Sequence, residues 1–517
     1  MKLRLVGHDY KYAVEQIMLA LFPGERPEYS DANTLGSGEL FSESSLRLGP
    51  VFAQAVTLMR CGATVSRGYA RVGRNKLTGK LATDRALQRI IKQSFYRAAV
   101  RFIEAPPEWG SLTGIRPAKL AAAALESGSS AKAAAARLVR EFFVSPERAA
   151  MCVDAAQASL ALKRGLGPRD IALYVGIPFC PTRCAYCSFV SNSVEKSFGL
   201  VEPFVGALLS EIGVAAETVR ALGLRIVSVY IGGGTPTALP EQALEAVISM
   251  LDTSFDLSGA REYTVEAGRP DTITGEKMEI LARLGVGRVC VNPQSMSEGV
   301  LSAIGRMHSP ADVTEAVRLV RDACTADRSN CAADRGDRKN ARLSETPLPS
   351  RTTLNMDVIA GLPADTPEGF AHTLDTVLDL TPENVTIHTL SLKKGSRIML
   401  EGTAIPSGAH VAGMLEYAAR RLRERGYRPY YLYRQKYTSG GFENTGWSLP
   451  GHECIYNMCM MEELCTVLAL GGGGVTKLVS PDGRIERVFN AKYPREYILN
   501  AGKIADKYKR IERWVSG

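Results

Sequence analysis

From about residue 170 the chain repeats one pattern: a short β-branched run, a loop, and in most cases an amphipathic stretch. The runs are IALYVGI, RIVSVYI, REYTVEA, GRVCVN, TTLNMDVIAG and NVTIHTL. Repeated strand–helix–strand units predict parallel pairing, because the crossover helix returns the chain to the end of the sheet from which the first strand started. About six such units predict an α/β fold built on an incomplete (β/α)6 barrel rather than the closed eight-stranded form. The functional loops then belong at the C-terminal ends of the strands.

At 517 residues the chain exceeds what one hydrophobic core supports, so further domains are expected on either side of this repeat. Residues 1–165 predict an N-terminal α/β domain whose role is not readable. It ends in helices, including the alanine-rich SSAKAAAARLVREFFVSPERAAMCVDAAQ. The repeat occupies 166–392. It is interrupted at about 325–350 by the polar, breaker-rich CTADRSNCAADRGDRKNARLSETPLPS, which predicts an exposed insertion. Residues 393–517 predict a C-terminal, substrate-covering domain over the barrel mouth: the helix AGMLEYAARRLRERG, the aromatic strand RPYYLYRQKY, a Gly-rich region and a last helix.

No apolar stretch runs uninterrupted for the roughly 20 residues a bilayer span needs, and MKLRLVGHDYKYAVEQ has no signal-peptide core. These features predict a cytoplasmic protein without membrane insertion. In that compartment eleven cysteines do not form a disulfide framework, which leaves metal binding, catalysis or burial. The charge of +9, from 63 basic and 54 acidic residues, is diffuse. It fits an anionic substrate as well as RNA, and most of it is ordinary solvated surface. In the turn-rich Trp109–Pro117 segment, Arg116 is a candidate anion contact, although a loop arginine is more often simply solvated.

The first strand runs directly into Cys180, Cys184 and Cys187, a C-x3-C-x2-C cluster on a tight loop. Three thiolates bind three irons of a [4Fe–4S] cluster and leave the fourth iron open, which makes such a site catalytic. A structural zinc ion needs a fourth ligand at motif spacing, and no further Cys or His lies within ten residues of this loop. The second strand ends in Gly232-Gly233-Gly234-Thr235-Pro236-Thr237, where the missing Cβ atoms let backbone approach a ligand.

The frame Tyr174-Val175-Gly176-Ile177-Pro178-Phe179-Cys180, with Cys184 and Tyr186-Cys187, resembles the radical S-adenosylmethionine (SAM) superfamily. It is most similar to the oxygen-independent coproporphyrinogen III oxidase family. LTGIRPAKL in a long N-terminal domain, with TIHTLSLKKGS, YYLYRQ and GHECIYN downstream, points within it to the coproporphyrinogen dehydrogenase branch. The resemblance covers about residues 170–475. It implies a [4Fe–4S] cluster on the three cysteines and SAM on the open iron, cleaved to a 5′-deoxyadenosyl radical. It also implies SAM contacts from Tyr174, Tyr186, Gly234, Thr235, Glu266, Gln294, Arg306 and Asp357. The implied reaction is oxidative decarboxylation of two propionates of coproporphyrinogen III to vinyl groups. The implied partner is an electron-donor protein such as flavodoxin or ferredoxin.

Three positions depart from the better-characterised oxidase: Gly176 stands where it has His, Tyr186 where it has Phe, and Phe189 where it has a fourth cysteine. The haem-chaperone relatives also lack that cysteine, so haem trafficking on the same scaffold is an alternative. A radical SAM enzyme acting on RNA is a third, which the diffuse charge disfavours. A second group, Cys454, Cys459 and Cys465, has C-x4-C-x5-C spacing that fits buried thiols better than a second cluster. His452 is a weaker acid-base or haem-ligand candidate, and Gly471–Gly474 either approach the adenine or merely turn the chain. Lys393, Lys394, Arg397 and Arg434 are candidates for the substrate carboxylates by position alone. Tyr430, Tyr431 and Tyr433 either flank a tetrapyrrole face or pack the core.

Overall fold

The structure is a computed structural model that describes residues 1–30, 39–187, 192–334, 352–393, 395–434 and 441–516. The chain divides into two compact units, Met1–Val153 with Gly440–Phe442, and Asp154–Ser439 with Glu443–Gly517. The border falls inside the helix Pro146–Arg164.

In the first unit, β1 (Lys2–Val6), β2 (Glu28–Tyr29), β3 (Leu40–Leu48), β4 (Phe52–Cys61) and β5 (Thr64–Gly73) form a sheet ordered β2-β1-β3-β4-β5. β1 is parallel to β2 and β3, and β3, β4 and β5 are an antiparallel meander. Burial alternates along β4 and β5, as it must when one sheet face is covered. Ala53, Ala55, Met59, Ala70 and Val72 form one core with Val14, Ile17 and Met18 of the helix Lys11–Leu21 and Ile90, Ile91 and Phe95 of the helix Lys80–Ala99. The approach is close enough that a Cβ on Gly68 would lie 1.8 Å from the Ser94 carbonyl oxygen.

The second unit holds β6 (Asp170–Ile177), the paired dipeptides β7 (Phe179–Cys180) and β8 (Asn192–Ser193), then β9 (Arg225–Gly233), β10 (Glu262–Gly268), β11 (Arg288–Val291), β12 (Thr353–Ala360) and β13 (Asn384–Thr389). β6, β9, β10, β11, β12 and β13 lie side by side, all parallel, in chain order. These are the six runs of the repeat, buried along nearly their whole length as parallel strands under helices must be. The fold is thus α/β, with an open sheet whose strand ends all point one way.

Residues beyond 392 correct the expectation of a separate covering domain. β15 (Glu443–Ser448) adds antiparallel to β13 and carries β14 (Arg428–Arg434) antiparallel on its outer side, while β16 (Thr466–Gly471) adds parallel to β6 and carries β17 (Val475–Val479) and β18 (Ile485–Phe489). An open sheet presents unpaired N–H and C=O groups at both edges, and these strands satisfy them. The expected insertion at 325–350 is overtaken in its first part by the helix Pro310–Asp334; the rest lies largely outside the described residues.

By length and composition, Phe198–Ala221 is apolar enough to cross a membrane. Its helix Val201–Ala221 instead buries Phe204, Leu208, Ile212 and Ala215, and it carries the fully buried Glu211. That carboxylate accepts from Gly471 N (2.9 Å), Lys507 Nζ (2.7 Å), Asn490 Nδ2 (3.2 Å), Tyr497 Oη (2.5 Å) and Tyr508 Oη (3.2 Å). One side chain therefore ties β16 and the last helix, Ile504–Ser516, to the body of the unit.

Candidate active site at the cysteine loop

Cys180, Cys184 and Cys187 sit just past the C-terminal end of β6, on a loop anchored mainly through its backbone. Gly234 N donates to the Ile177 carbonyl (2.8 Å) and Thr235 N to the Phe179 carbonyl (2.7 Å), so GGGT is strapped beneath the first cysteine. A Cβ on Gly234 would lie 2.4 Å from the Phe179 oxygen, which explains glycine there. The far side is held by Ala185 N on the Ile304 carbonyl (2.9 Å) and Ile398 N on the Ala185 carbonyl (3.3 Å). Around Ala185 lie Val300, Leu301, Ile304, Ile359, Leu362, Leu390 and Ile398, a small core of its own.

All three cysteines are partly exposed. Thr235 Oγ1 donates to Cys180 Sγ (3.5 Å), and Arg269 Nη1 donates to Cys184 Sγ (3.6 Å) and Thr182 Oγ1 (3.2 Å). Arg269 is itself buried and fixed by a bidentate pair with Asp271 (3.0 and 3.0 Å). Donors aimed at sulfur favour thiolate and tune a bound cluster. Arg269 and Asp271 escaped the sequence reading, although they follow the selected Glu266 directly in EAGRPD.

Among the described residues no three His, Cys, Asp or Glu side chains converge on one point, as a single ion requires. An iron–sulfur cluster asks for something different, one thiolate on each of three separate irons. The loop's donor chemistry fits that group.

Below the loop, residues two apart on each strand face one polar interior, since alternate strand residues share a face. Tyr230 Oη donates to Glu266 Oε1. Asp357 accepts from Asn355 Nδ2 (2.9 Å) and lies 3.5 Å from His388 Nε2. Burial raises the Glu266 carboxyl to about 7, with the Asp357 charge adding to the rise and the Tyr230 hydrogen bond opposing it. Burial works against ionisation of Asp357 too, but the bonds from His388, Asn355 and Thr386 outweigh it and hold that carboxyl below the usual range. Tyr230, Asn355 and His388 were not singled out from sequence. The period-2 spacing of Asn355 with Asp357 and of Thr386 with His388 is the signal that could have found them.

Gln294 has φ +67°, a left-handed backbone fixed by its N–H on the Asp357 carbonyl (3.0 Å) and its carbonyl on Ile359 N (3.1 Å). Its buried Oε1 has no hydrogen-bond partner. An orphaned acceptor beside a left-handed backbone is a feature that a bound donor would satisfy. Arg306 is buried, with Nη1 on the Asn292 carbonyl (2.6 Å) and Nη2 on Tyr186 Oη (3.1 Å). Tyr174 stacks on Tyr230 (6.3 Å) and Tyr456 (5.6 Å). Thus Tyr186 and Arg306 flank the loop, Glu266, Gln294 and Asp357 line the interior, and Gly234 and Thr235 brace the first cysteine.

Gly471–Gly474 pack on the approach to the cysteines. A Cβ on Gly176 would lie 2.6 Å from the Gly472 oxygen, and one on Gly472 would lie 2.7 Å from Pro178 Cγ. Position 176 is thus glycine because β16 runs against it. Tyr430 and Tyr431 are buried core, and Tyr433 stacks on Tyr431 at 6.4 Å. Arg397 pairs with Glu401 (3.5 Å) at the surface, beside Ile398, whose N–H bonds the loop's Ala185; Lys394 lies outside the described residues.

Cys454, Cys459 and Cys465 are at the opposite end of the sheet, buried with Tyr230, Tyr430, Tyr431, Tyr456 and Val467 around the helix Ile455–Glu462. Glu262, at the start of β10, accepts from Ile455 N (2.6 Å), Tyr456 N (3.2 Å) and Cys454 Sγ (3.4 Å) and pairs with Arg288 (3.6 Å). Arg288 donates to Asn384 Oδ1 and the His452 carbonyl (3.0 Å), and His452 Nδ1 meets Thr353 Oγ1 at 3.2 Å. His452 is therefore part of the floor, remote from the cysteine loop.

Comparison with known proteins adds the following. Residues 174–329 match the family model of the radical SAM superfamily. The chain is 36% identical over 396 residues to the oxygen-independent coproporphyrinogen-III oxidase-like protein HemZ of Bacillus subtilis, covering 75% of this chain and 74% of that protein. It is 24% identical to the heme chaperone HemW of Escherichia coli, over 66% of this chain and 79% of that one. Among solved structures, the coproporphyrinogen III oxidase HemN of Escherichia coli superposes with a TM-score of 0.50 at 19% identity, covering 68% of this chain and 73% of the other.

Proposed function

The chain belongs to the radical SAM superfamily and, within it, to the family of the coproporphyrinogen-III oxidase-like protein HemZ, and on that premise we propose that it oxidatively decarboxylates propionate side chains of coproporphyrinogen III to vinyl groups. Its cofactors are a [4Fe–4S] cluster and SAM, which when bound supply one-electron cleavage of the sulfonium and abstraction of a hydrogen atom.

In this reading Cys180, Cys184 and Cys187 hold the cluster, and Thr235 and Arg269 steady two of the sulfurs. Glu266 takes the SAM amine or ribose as an acceptor, and Gln294 offers its orphaned Oε1. Asp357, kept ionised by His388, Asn355 and Thr386, supplies a second acceptor. Tyr186 and Arg306 clamp the loop's outer side, and Tyr174 packs beneath the strand leading into it. Each propionate loses a β-hydrogen atom, carbon dioxide and one electron, the electron passing to an external one-electron acceptor. A flavodoxin or ferredoxin is the expected reductant for the cluster. The observation that carries the substrate is the HemZ likeness, which extends over 396 residues and so beyond the superfamily segment.

A second reading is haem trafficking, favoured by the likeness to HemW. Anaerobic incubation of the reconstituted protein with SAM, a reductant and coproporphyrinogen III separates the two. Protoporphyrinogen with 5′-deoxyadenosine is the expected result. Stoichiometric haem binding without decarboxylation would overturn it in favour of trafficking.

A further inference from the structure

The N-terminal unit carries a cleft that the cysteine site does not use. It lies between the helix Lys80–Ala99 and the loop Ser111–Gly114, has a volume of about 190 Å³, and is lined by Arg85, Gln88, Arg89, Lys92, Ser111 and Thr113 among others. Arg85, Arg89 and Lys92 recur at helical spacing, so they share one face of the helix. We propose that this cleft is a binding site for a terminal phosphate group, carried by a phosphomonoester or present as free inorganic phosphate.

Lys92 is the centre of the argument. Its ammonium donates to Thr113 Oγ1 (2.7 Å) and Gln16 Oε1 (2.9 Å), both neutral oxygens, and among the described residues it makes no ion pair. An ammonium has three N–H donors, and a partly buried one with only neutral acceptors lacks its natural partner. Burial draws Lys92 down to about 8, a penalty that a bound anion would relieve. Arg85 has no ion-pair partner among the described residues either. Arg89 has only Glu141 at 3.7 Å, and that carboxylate is shared with Arg137 at 3.2 Å.

Three cations against one shared carboxylate leave two positive charges uncompensated, which matches a phosphate dianion better than a single carboxylate. The facing wall is rigid enough to select. Gly110 has φ +51°, and a Cβ there would lie 2.3 Å from the Phe142 and Phe143 oxygens. Ser111 N bonds the Phe142 carbonyl (2.8 Å), and Leu112 N bonds that of Trp109 (2.9 Å). Ser111, whose hydroxyl donates to the Phe142 carbonyl (3.2 Å), and Thr113 thus line the cleft from a fixed backbone. A cleft of about 190 Å³ suits the end of a phosphorylated molecule rather than a continuous nucleic-acid backbone.

The test is calorimetric titration of the full chain with inorganic phosphate and with pyrophosphate at low ionic strength, repeated on Lys92→Met and Thr113→Val. Saturable binding of one anion per chain is expected, weakened about tenfold or more by Lys92→Met and less by Thr113→Val. If Lys92→Met does not fold by circular dichroism, the doubly substituted Arg85→Ala, Arg89→Ala chain takes its place with the same expectation. Absence of saturable binding, or binding that no substitution alters, would overturn the proposal. So would a short single-stranded RNA lacking a terminal phosphate that binds more tightly than pyrophosphate and competes with it.

Discussion

Two groups of three cysteines stand at opposite ends of one sheet, and their surroundings could hardly differ more. Cys180, Cys184 and Cys187 lie on an open loop at the strands' C-terminal ends, and two of them receive hydrogen bonds from Thr235 and Arg269. Cys454, Cys459 and Cys465 lie buried at the N-terminal ends. Burial, reinforced by the neighbouring Glu262 carboxylate, pushes the Cys454 thiol well up; Cys459 is pushed up by its bond to Cys465 and by burial. Spacing already separates the groups, and the donors aimed at sulfur add a physical reason, because thiolate is what binds iron.

Alkylation should expose the contrast most sharply. In the metal-free protein the loop thiols are expected to react about a thousandfold faster than Cys454 and Cys459, which must wait for an opening that costs several kcal/mol. Mass spectrometry of timed samples would check this, and equal rates would break the comparison. Next comes Arg288→Met, which strands Glu262 in the floor and should cost about 3–5 kcal/mol in denaturant unfolding. Iron bound per folded molecule should stay unchanged, because the floor is structural.

The smallest expected effect concerns Glu266. Its carboxyl is raised to about 7, so the protonated form is the one the fold favours, and the stability it contributes fades as pH rises through that value. SAM needs the opposite form if Glu266 accepts from its amine. Affinity for SAM should therefore fall as pH drops below 7, by up to about tenfold per unit, and Glu266→Gln should bind more weakly with a flatter profile. A pH series of binding titrations would show it. An unchanged slope would remove Glu266 from the SAM contacts.

The same contrast shows what was legible in the sequence. β-branched runs announce parallel strands because both faces are buried, so β6 and β9 to β13 could be read directly. The cysteine loop could be read because it follows β6 without interruption. The edges could not: nothing local in ENTGWS or CTVLALG says that one stretch pairs with β13 and the other with β6, since pairing across such distances is a tertiary choice. Arg269 and His388 were missed for a related reason. Each is an ordinary polar residue near a strand end until the fold sets Cys184 or Asp357 beside it.

The most direct test is the iron content and the reduced-state electron paramagnetic resonance spectrum of the anaerobically reconstituted protein, compared with Cys184→Ala and with Cys454→Ala. One [4Fe–4S] cluster in the parent and in Cys454→Ala, and its loss in Cys184→Ala, is the predicted result. A cluster that survives Cys184→Ala and disappears with Cys454→Ala would contradict the assignment of the chemistry to the open loop.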